Sequence, residues 1–382
     1  MNSEKRHADH ERSDLISFRS GIPALELFPK SVWAKIYKDA CLSLPDEALR
    51  YGSPAGEQDL REAIAEYLSR SRGIRCGAER IMITSGSTQG LAIVSRLLRR
   101  EKDHVLVEDP AHMGMIEVVA RAGYAVSPVR VDADGLDTSA LDTLHTRDPA
   151  IIRSTAFVYT TPSHQYPLGG ILPIQRRQAL LAFAEKAGCF VVEDDYDSEF
   201  RYEGRPVSSL YDLNPQRVIY LGSFSKVLAP ALRLGFAILP ESLVQHWKPE
   251  KMYHDVHSDS LSQHALAEFI RKGELEKHIW KARKLYKRKR EALISALSSR
   301  FGSRFEIMGQ AAGLHLVASF TNKVITDEIV KSLYDAGVRV RPVTRYCLES
   351  QSEHQSEVIL GYSHLRFDQI ERGVDILSRV LR

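Results

Sequence analysis

Between residues 80 and 239, short runs of β-forming residues alternate with stretches whose apolar positions recur at helical spacing. Residues 80–84 read as a strand, after which Leu91, Val94, Leu97 and Leu98 mark one face of a helix. Residues 104–108 form the next strand, and a helix runs through Ile116 and Val119 to Gly123. After a further strand and helix, residues 155–161 read as a buried strand and residues 173–187 as a helix stopped by Gly188. Strands at 189–193, 218–221 and 234–239 complete the set. This alternation predicts an α/β domain with a largely parallel sheet between helices.

Beyond about Pro240 the pattern changes. A long helical stretch at 268–299 carries Ile270, Leu285, Leu293 and Leu297, and strands follow at 313–317 and 338–341. A smaller α+β C-terminal domain is expected. The organisation read from the chain is an N-terminal arm at 1–48, a large domain at 49–250 and a small domain at 251–382. The arm, with residues 16–28, is expected to pack near the second domain or a partner subunit.

Composition narrows the class. At 382 residues the chain exceeds one ordinary domain. A net charge of +3, from 52 basic and 49 acidic residues, argues against a dedicated nucleic-acid surface. The basic run at 281–290 lies on a helix whose apolar positions continue at core spacing, so it reads as a solvated face. Cys41, Cys76, Cys189 and Cys347 stand far apart without a CxxC pair, indicating neither a zinc site nor a disulfide framework. No stretch is long and apolar enough to span a membrane, and the first fourteen residues are polar where a signal peptide is apolar, so a cytoplasmic protein is expected.

The chemistry-bearing motifs fall after the strands. Ser85-Gly-Ser-Thr-Gln89, Glu108-Asp-Pro-Ala-His112, Thr161-Pro-Ser-His-Gln165, Asp194 and Ser223 to Lys226 each follow a predicted strand. In open α/β sheets ligands bind beyond the carboxyl ends of the strands, so the five motifs converge on one crevice. An acid and a lysine from neighbouring strand ends suit pyridoxal 5′-phosphate: the lysine holds the aldehyde as a Schiff base and the carboxylate keeps the pyridine nitrogen protonated. Asp194 and Lys226 are that pair. Gly86 lets backbone approach a ligand, and Ser87 and Thr88 offer donors at a helix start. Ser223, Ser225 and Arg233 add donors beside the lysine, Tyr196 stands where it can bond the ring oxygen, and His112 can stack on the ring.

Tyr51-Gly-Ser-Pro-Ala-Gly56, Thr84-Ser-Gly-Ser-Thr-Gln89, Thr161-Pro-Ser-His-Gln-Tyr-Pro-Leu-Gly169, Glu193-Asp-Asp-Tyr-Asp-Ser-Glu-Phe200 and Gly222-Ser-Phe-Ser-Lys226 with Arg233 resemble the fold-type-I pyridoxal-phosphate aminotransferases. The nearest likeness is to the aminotransferase-like domain of the MocR/GabR regulators, and it runs from about Phe18 to the C-terminus. The resemblance implies a homodimer with the active site at the subunit interface. It implies Lys226 as the Schiff-base lysine and proton shuttle, Asp194 on the pyridine nitrogen and Tyr196 on the ring oxygen. It places Ser87, Thr88, Ser223, Ser225 and Arg233 on the phosphate, with Tyr51 reaching that phosphate from the other subunit.

Three positions depart from the family pattern. His112 stands where an aromatic tyrosine is usual, and Tyr166 replaces the asparagine of the Asn-Pro-x-Gly turn, leaving Gln165 or His164 to substitute. The arginine that clamps the substrate carboxylate is read as His364, a poorer partner without the bidentate fork, with Arg345 or Arg366 as the available replacements. The first expectation is therefore an aminotransferase acting on a small amino acid and a 2-oxo acid, with decarboxylation as a variant suggested by His112. The second is the effector-binding and dimerising part of a MocR/GabR-type regulator. The regulators carry a winged helix ahead of this domain, and the roughly twenty residues before the resemblance are too short for one, so no direct nucleic-acid binding by this chain is expected.

Overall fold

The large sheet owes its position to strands that are apolar on both faces. The computed structural model describes residues 14–99, 102–204 and 207–381, so residues 1–13 of the expected arm lie outside the described residues. Eight strands run in the order Ile81–Thr84, Gly235–Ile238, Val218–Ser223, Phe190–Asp195, Thr155–Thr160, His104–Asp109, Ala125–Asp132 and Gly135–Leu136. The five from Val218–Ser223 to Ala125–Asp132 are mutually parallel, whereas Gly235–Ile238 is antiparallel to both neighbours and Gly135–Leu136 to its one. Successive residues of a strand feed different cores: Val191 and Val218 pack on one face of the sheet, Val192 and Ile219 on the other. That period of two, apolar on both sides, is the signature of a sheet covered by helices on both faces.

Flanking helices begin and end where the sequence marks them. The helix Ile174–Ala187 is closed by Gly188 in the left-handed conformation, and the helix Ser87–Leu98 buries Leu91, Val94 and Leu97. The single helical stretch expected at 268–299 is instead two helices, Ser260–Arg271 and Glu274–Phe301. The break is Gly273, whose φ of 69° is left-handed and incompatible with a continuing helix.

The smaller unit is built on a four-stranded antiparallel sheet in the order Phe305–Met308, His315–Phe320, Glu357–Gly361 and Arg341–Pro342. The strand expected at 338–341 divides between two sheets. Val338–Arg339 pairs in parallel with Ile16–Ser17 of the arm, and Arg341–Pro342 joins the antiparallel sheet. The arm therefore packs on the smaller unit, burying Ile16 and Phe18 in its core. The cores change hands inside the helix Glu274–Phe301: Leu275 and Ile279 belong to the large one, and Ala282, Tyr286 and Leu293 to the small one. This lies downstream of the boundary read at residue 250.

The basic run on this helix is not wholly solvated. Lys281, Lys284, Lys287 and Arg288 are exposed, but Lys289 is buried against Glu26 (3.1 Å) and the Ser363 carbonyl (2.7 Å). Arg290 is buried too, bonding Glu203 at 2.7 Å. Helical periodicity turns these last two cations inward, where each meets a carboxylate. Among the described residues no helix is long and apolar enough to cross a membrane.

Candidate active site

A cavity of about 220 Å³ opens at the carboxyl ends of the parallel strands, and the arm and smaller unit close its far side. Its first wall is a helix start. The strand Ile81–Thr84 ends, Gly86 turns the chain at φ 109°, and the helix Ser87–Leu98 begins with Ser87 and Thr88 on the cavity. The first amides of a helix have no intrahelical acceptor and carry the positive end of its dipole, which favours an anion there. A Cβ on Gly86 would sit 3.1 Å from the Arg233 guanidinium, so glycine allows that cation to close over the turn. Arg233 also donates to the Ser85 carbonyl. Across the gap, Ser223 ends its strand and caps the four-residue helix Phe224–Val227 by accepting from the Ser225 amide at 3.1 Å. Ser223 and Ser225 both line the cavity, completing a ring of donors of the kind that receives a phosphate.

Lys226 and Asp194 face the same space. Alternation along the strand Phe190–Asp195 sends Asp194 to the cavity and Asp195 to the opposite side, where Arg72 (2.9 Å) and the Tyr220 hydroxyl (2.6 Å) hold it. Asp194 is only 5% exposed. Its Oδ2 accepts from the Tyr159 hydroxyl at 2.6 Å, while its Oδ1 is buried with no protein partner. Burial pushes this carboxyl up to about 7, against the lowering effect of the Tyr159 bond. Lys226 donates through Nζ to the Gly21 carbonyl of the arm at 2.7 Å. Burial lowers its pKa, Asp197 and Asp194 oppose the shift, and Arg19 and Arg233 reinforce it. Burial thus works toward the uncharged form of both groups.

The third wall is aromatic. Tyr166 touches His112 (5.2 Å between ring centroids), His315 (5.3 Å), Tyr346 (5.4 Å) and Tyr196 (6.1 Å), and its hydroxyl lies 2.8 Å from Ser20 Oγ. His112 stands immediately before the helix Met113–Arg121, at the cavity edge. Tyr196 lines the cavity, and its phenol donates to the His164 carbonyl at 2.9 Å. That leaves His164 Nδ1 to donate to the phenol oxygen (2.9 Å) and to Asp197 Oδ2 (3.1 Å). His315 is neutral, driven down to about 3 chiefly by burial and then by His164, and gives its Nε2 proton to the Pro167 carbonyl at 2.9 Å.

Of the residues expected at the site, Gly86, Ser87, Thr88, His112, Asp194, Tyr196, Ser223, Ser225, Lys226 and Arg233 line this one cavity. Four others do not. Tyr51 is 87% exposed, stacked edge-on to His257 at 6.2 Å. His364 Nε2 donates to the Ser17 carbonyl at 2.8 Å, and burial lowers its pKa, so it is a neutral arm anchor and not a cavity cation. Arg345 is exposed and paired with Asp327 at 2.9 Å, because the short turn Val343–Tyr346 that buries Tyr346 directs its neighbour outward. Arg366, the other replacement, pairs with Asp368 at 2.6 Å.

Sequence reading missed Tyr159, Ser20, Gly21, Asp197 and His315. Tyr159 carried a faint signal as the one phenol in the strand Thr155–Thr160. The arm residues and His315 are brought in by long-range packing and carry none.

Comparison with known proteins follows the same lines. Residues 13–356 match the family model described as aminotransferase class I and II. An uncharacterised HTH-type transcriptional regulator of Bacillus subtilis, YhdI, is 36% identical over 364 residues, covering 95% of this chain and 75% of the relative. The 2-aminoadipate transaminase of Thermus thermophilus is 30% identical, covering 97% of this chain and 91% of the relative. The crystal structure of the α-aminoadipate aminotransferase LysN from Thermus thermophilus, complexed with N-(5′-phosphopyridoxyl)-L-leucine, superposes with a TM-score of 0.85 at 29% identity, covering 97% of this chain and 92% of that one.

Proposed function

Because the chain belongs to the family of class I and II aminotransferases, we propose that it is a pyridoxal-phosphate-dependent aminotransferase, moving an amino group between a small amino acid and a 2-oxo acid. The observation that carries this reading is the unpartnered, buried Oδ1 of Asp194 sharing one cavity with Lys226 Nζ. A protonated pyridine nitrogen is the donor that Oδ1 lacks. The ring of Ser87, Thr88, Ser223, Ser225 and Arg233 suits the phosphate. Bound there, pyridoxal phosphate supplies an aldehyde that links covalently to amines and a ring that withdraws electrons from the substrate α-carbon.

The residues divide the remaining work. Lys226 is the residue that would hold the cofactor aldehyde, and its Nζ, once free, would serve as the general base and acid for the substrate α-proton. The depressed pKa of Lys226 favours the neutral amine that this role needs. Asp194 would keep the ring nitrogen protonated, and Tyr196 and His112, which line the same cavity, would serve the ring oxygen and the ring face. Tyr51, exposed and away from this cavity, is assigned to the phosphate of a second copy in a homodimer whose sites lie at the interface.

The similarity to YhdI favours a second reading, in which the same site captures an amine as a sensor and does not turn it over. The absorption spectrum with pyridoxal phosphate separates the readings. A near-visible band absent from Lys226→Ala, with sustained oxo-acid release from one member of an amino-acid panel when a second 2-oxo acid is supplied as amino acceptor, is the expected result. A lysine-dependent band that shifts without oxo-acid release makes the protein a sensor, and no lysine-dependent band refutes both.

A further inference from the structure

We propose that His164 is the positioning residue of Tyr196: its imidazole, steadied by Asp197, holds the phenol so that the phenol can give its proton to the ring oxygen of the cofactor; this rests on the aminotransferase reading. The phenol makes two bonds, both to this one residue. It donates to the His164 carbonyl at 2.9 Å, and its oxygen stands 2.9 Å from His164 Nδ1. A phenol has a single proton to give. A ring oxygen that takes that proton takes it from the carbonyl, and the bond left to hold Tyr196 in place is the one from Nδ1. Tyr196 and Asp197 line the cavity and His164 does not, so the imidazole acts through the phenol.

The surroundings fix the imidazole as a donor. Nδ1 lies 3.1 Å from Asp197 Oδ2, and the two side chains are only 0% and 1% exposed. Nε2 is buried with no acceptor among the described residues, so a second proton there would be left unpaired, and the ring carries its one proton on Nδ1. Two glycines make room for this arrangement. A Cβ on Gly313 would collide with the His164 ring and lie 2.6 Å from Asp197 Oδ2, and one on Gly169 would lie 3.0 Å from His164 Nε2. His315 packs on the same imidazole, with 4.9 Å between ring centroids. Segments as distant in the chain as Gly169 and Gly313 thus close on one ring and leave it little freedom to turn.

A hydrogen bond given to the ring oxygen favours its anion, and so lowers the pH at which the Lys226 linkage gives up its proton. The test is that pH midpoint, read from the lysine-dependent band of the cofactor-loaded protein in wild type, His164→Leu and His164→Asn, each also made with Tyr196→Phe. His164→Leu is expected to raise the proton affinity of the linkage by about threefold to tenfold, the usual weight of one hydrogen bond. His164→Asn, whose amide can stand where Nδ1 stands, is expected to recover part of the loss. In the Tyr196→Phe background His164→Leu is expected to cause no further shift, because the phenol it acts through is gone. Asp197, Asp194, Tyr166 and Glu108 also act on Tyr196, and Asp197, Arg19, Asp194 and Arg233 on Lys226. All of these are the same in every variant, and an effect carried by any of them persists without the phenol. A midpoint unmoved by His164→Leu, or moved equally with and without the phenol, overturns the assignment. Where the leucine variant does not fold, nitrogen NMR of the cofactor-free wild type decides: a proton on His164 Nδ1 supports the assignment and a bare Nδ1 overturns it. Failure of the wild type to form its lysine-dependent band overturns the aminotransferase reading instead, so the two failures are distinct.

Discussion

Asp194 concentrates the electrostatics of the cavity in one carboxyl. Its pKa in the folded chain is about 7 against an ordinary 3.8, with burial as the main cause. The folded state thus holds this proton more tightly than the unfolded one. The stabilisation is complete below about pH 4 and is lost as pH rises through 7. For the protein without cofactor we expect Tm to fall between pH 4 and 7 more steeply than in Asp194→Asn, measured by thermal unfolding across that range. Glu199, raised by burial to about 7 as well, contributes a slope common to both proteins, so the difference between them isolates Asp194. Pyridoxal phosphate should weaken the dependence by supplying a cationic partner to Oδ1. At this scale the sequence was most informative where a residue type has few other uses: a lysine after a strand, an aspartate ending another, serines before helices. It was least informative about direction. Nothing local distinguishes His364, bonded to Ser17, from a residue aimed into the cleft.

Elements were legible in proportion to how local their cause is. Gly188 stops its helix as its position suggests, and the alternating strands of the large sheet lie where apolar runs place them. Gly273 was overlooked because the apolar spacing resumes beyond it, so periodicity alone reads straight through the break. A side chain at Gly273 meets nothing within 4 Å, which leaves backbone strain as the whole cost of substitution. Gly273→Ala is expected to lose about 1–2 kcal/mol, the penalty of a left-handed alanine, read as a lower urea midpoint at unchanged slope. No change would mean that the two helices fuse without effect on the packing around Leu275. The arm strand was hidden for a different reason: Ile16–Ser17 is a strand only because Val338–Arg339 lies alongside it.

On the scale of the whole molecule, one carboxylate fastens the two units at a strand end. Asp109 closes the strand His104–Asp109 and accepts from the amides of Leu348 (2.7 Å), Glu349 (2.9 Å) and Ser350 (2.9 Å), on the segment that follows Arg341–Pro342. Asp109→Ala leaves three amides without that acceptor. Hydrogen exchange at 348–350 is expected to quicken by at least about tenfold, since even one lost charge-assisted bond is worth that much, while the Lys226-dependent band persists. Unchanged exchange would show that water replaces the carboxylate without loss. The α/β character of the large unit could be read from alternation, but the clamp could not, because its two sides are 239 to 241 residues apart in the chain.

The chain begins its described course in the smaller core with Ile16 and Phe18, enters the large core by Ile36, and returns along the helix Glu274–Phe301. Two units joined by a single thread can swivel freely; joined by two, they behave like a door on a pair of hinges. One hinge here is an unbroken helix of 28 residues, which twists far less readily than it tilts. Because the arm strand is paired to Val338–Arg339 of the smaller unit, any displacement of that unit would draw Ser20 and Gly21 away from Tyr166 and Lys226 together.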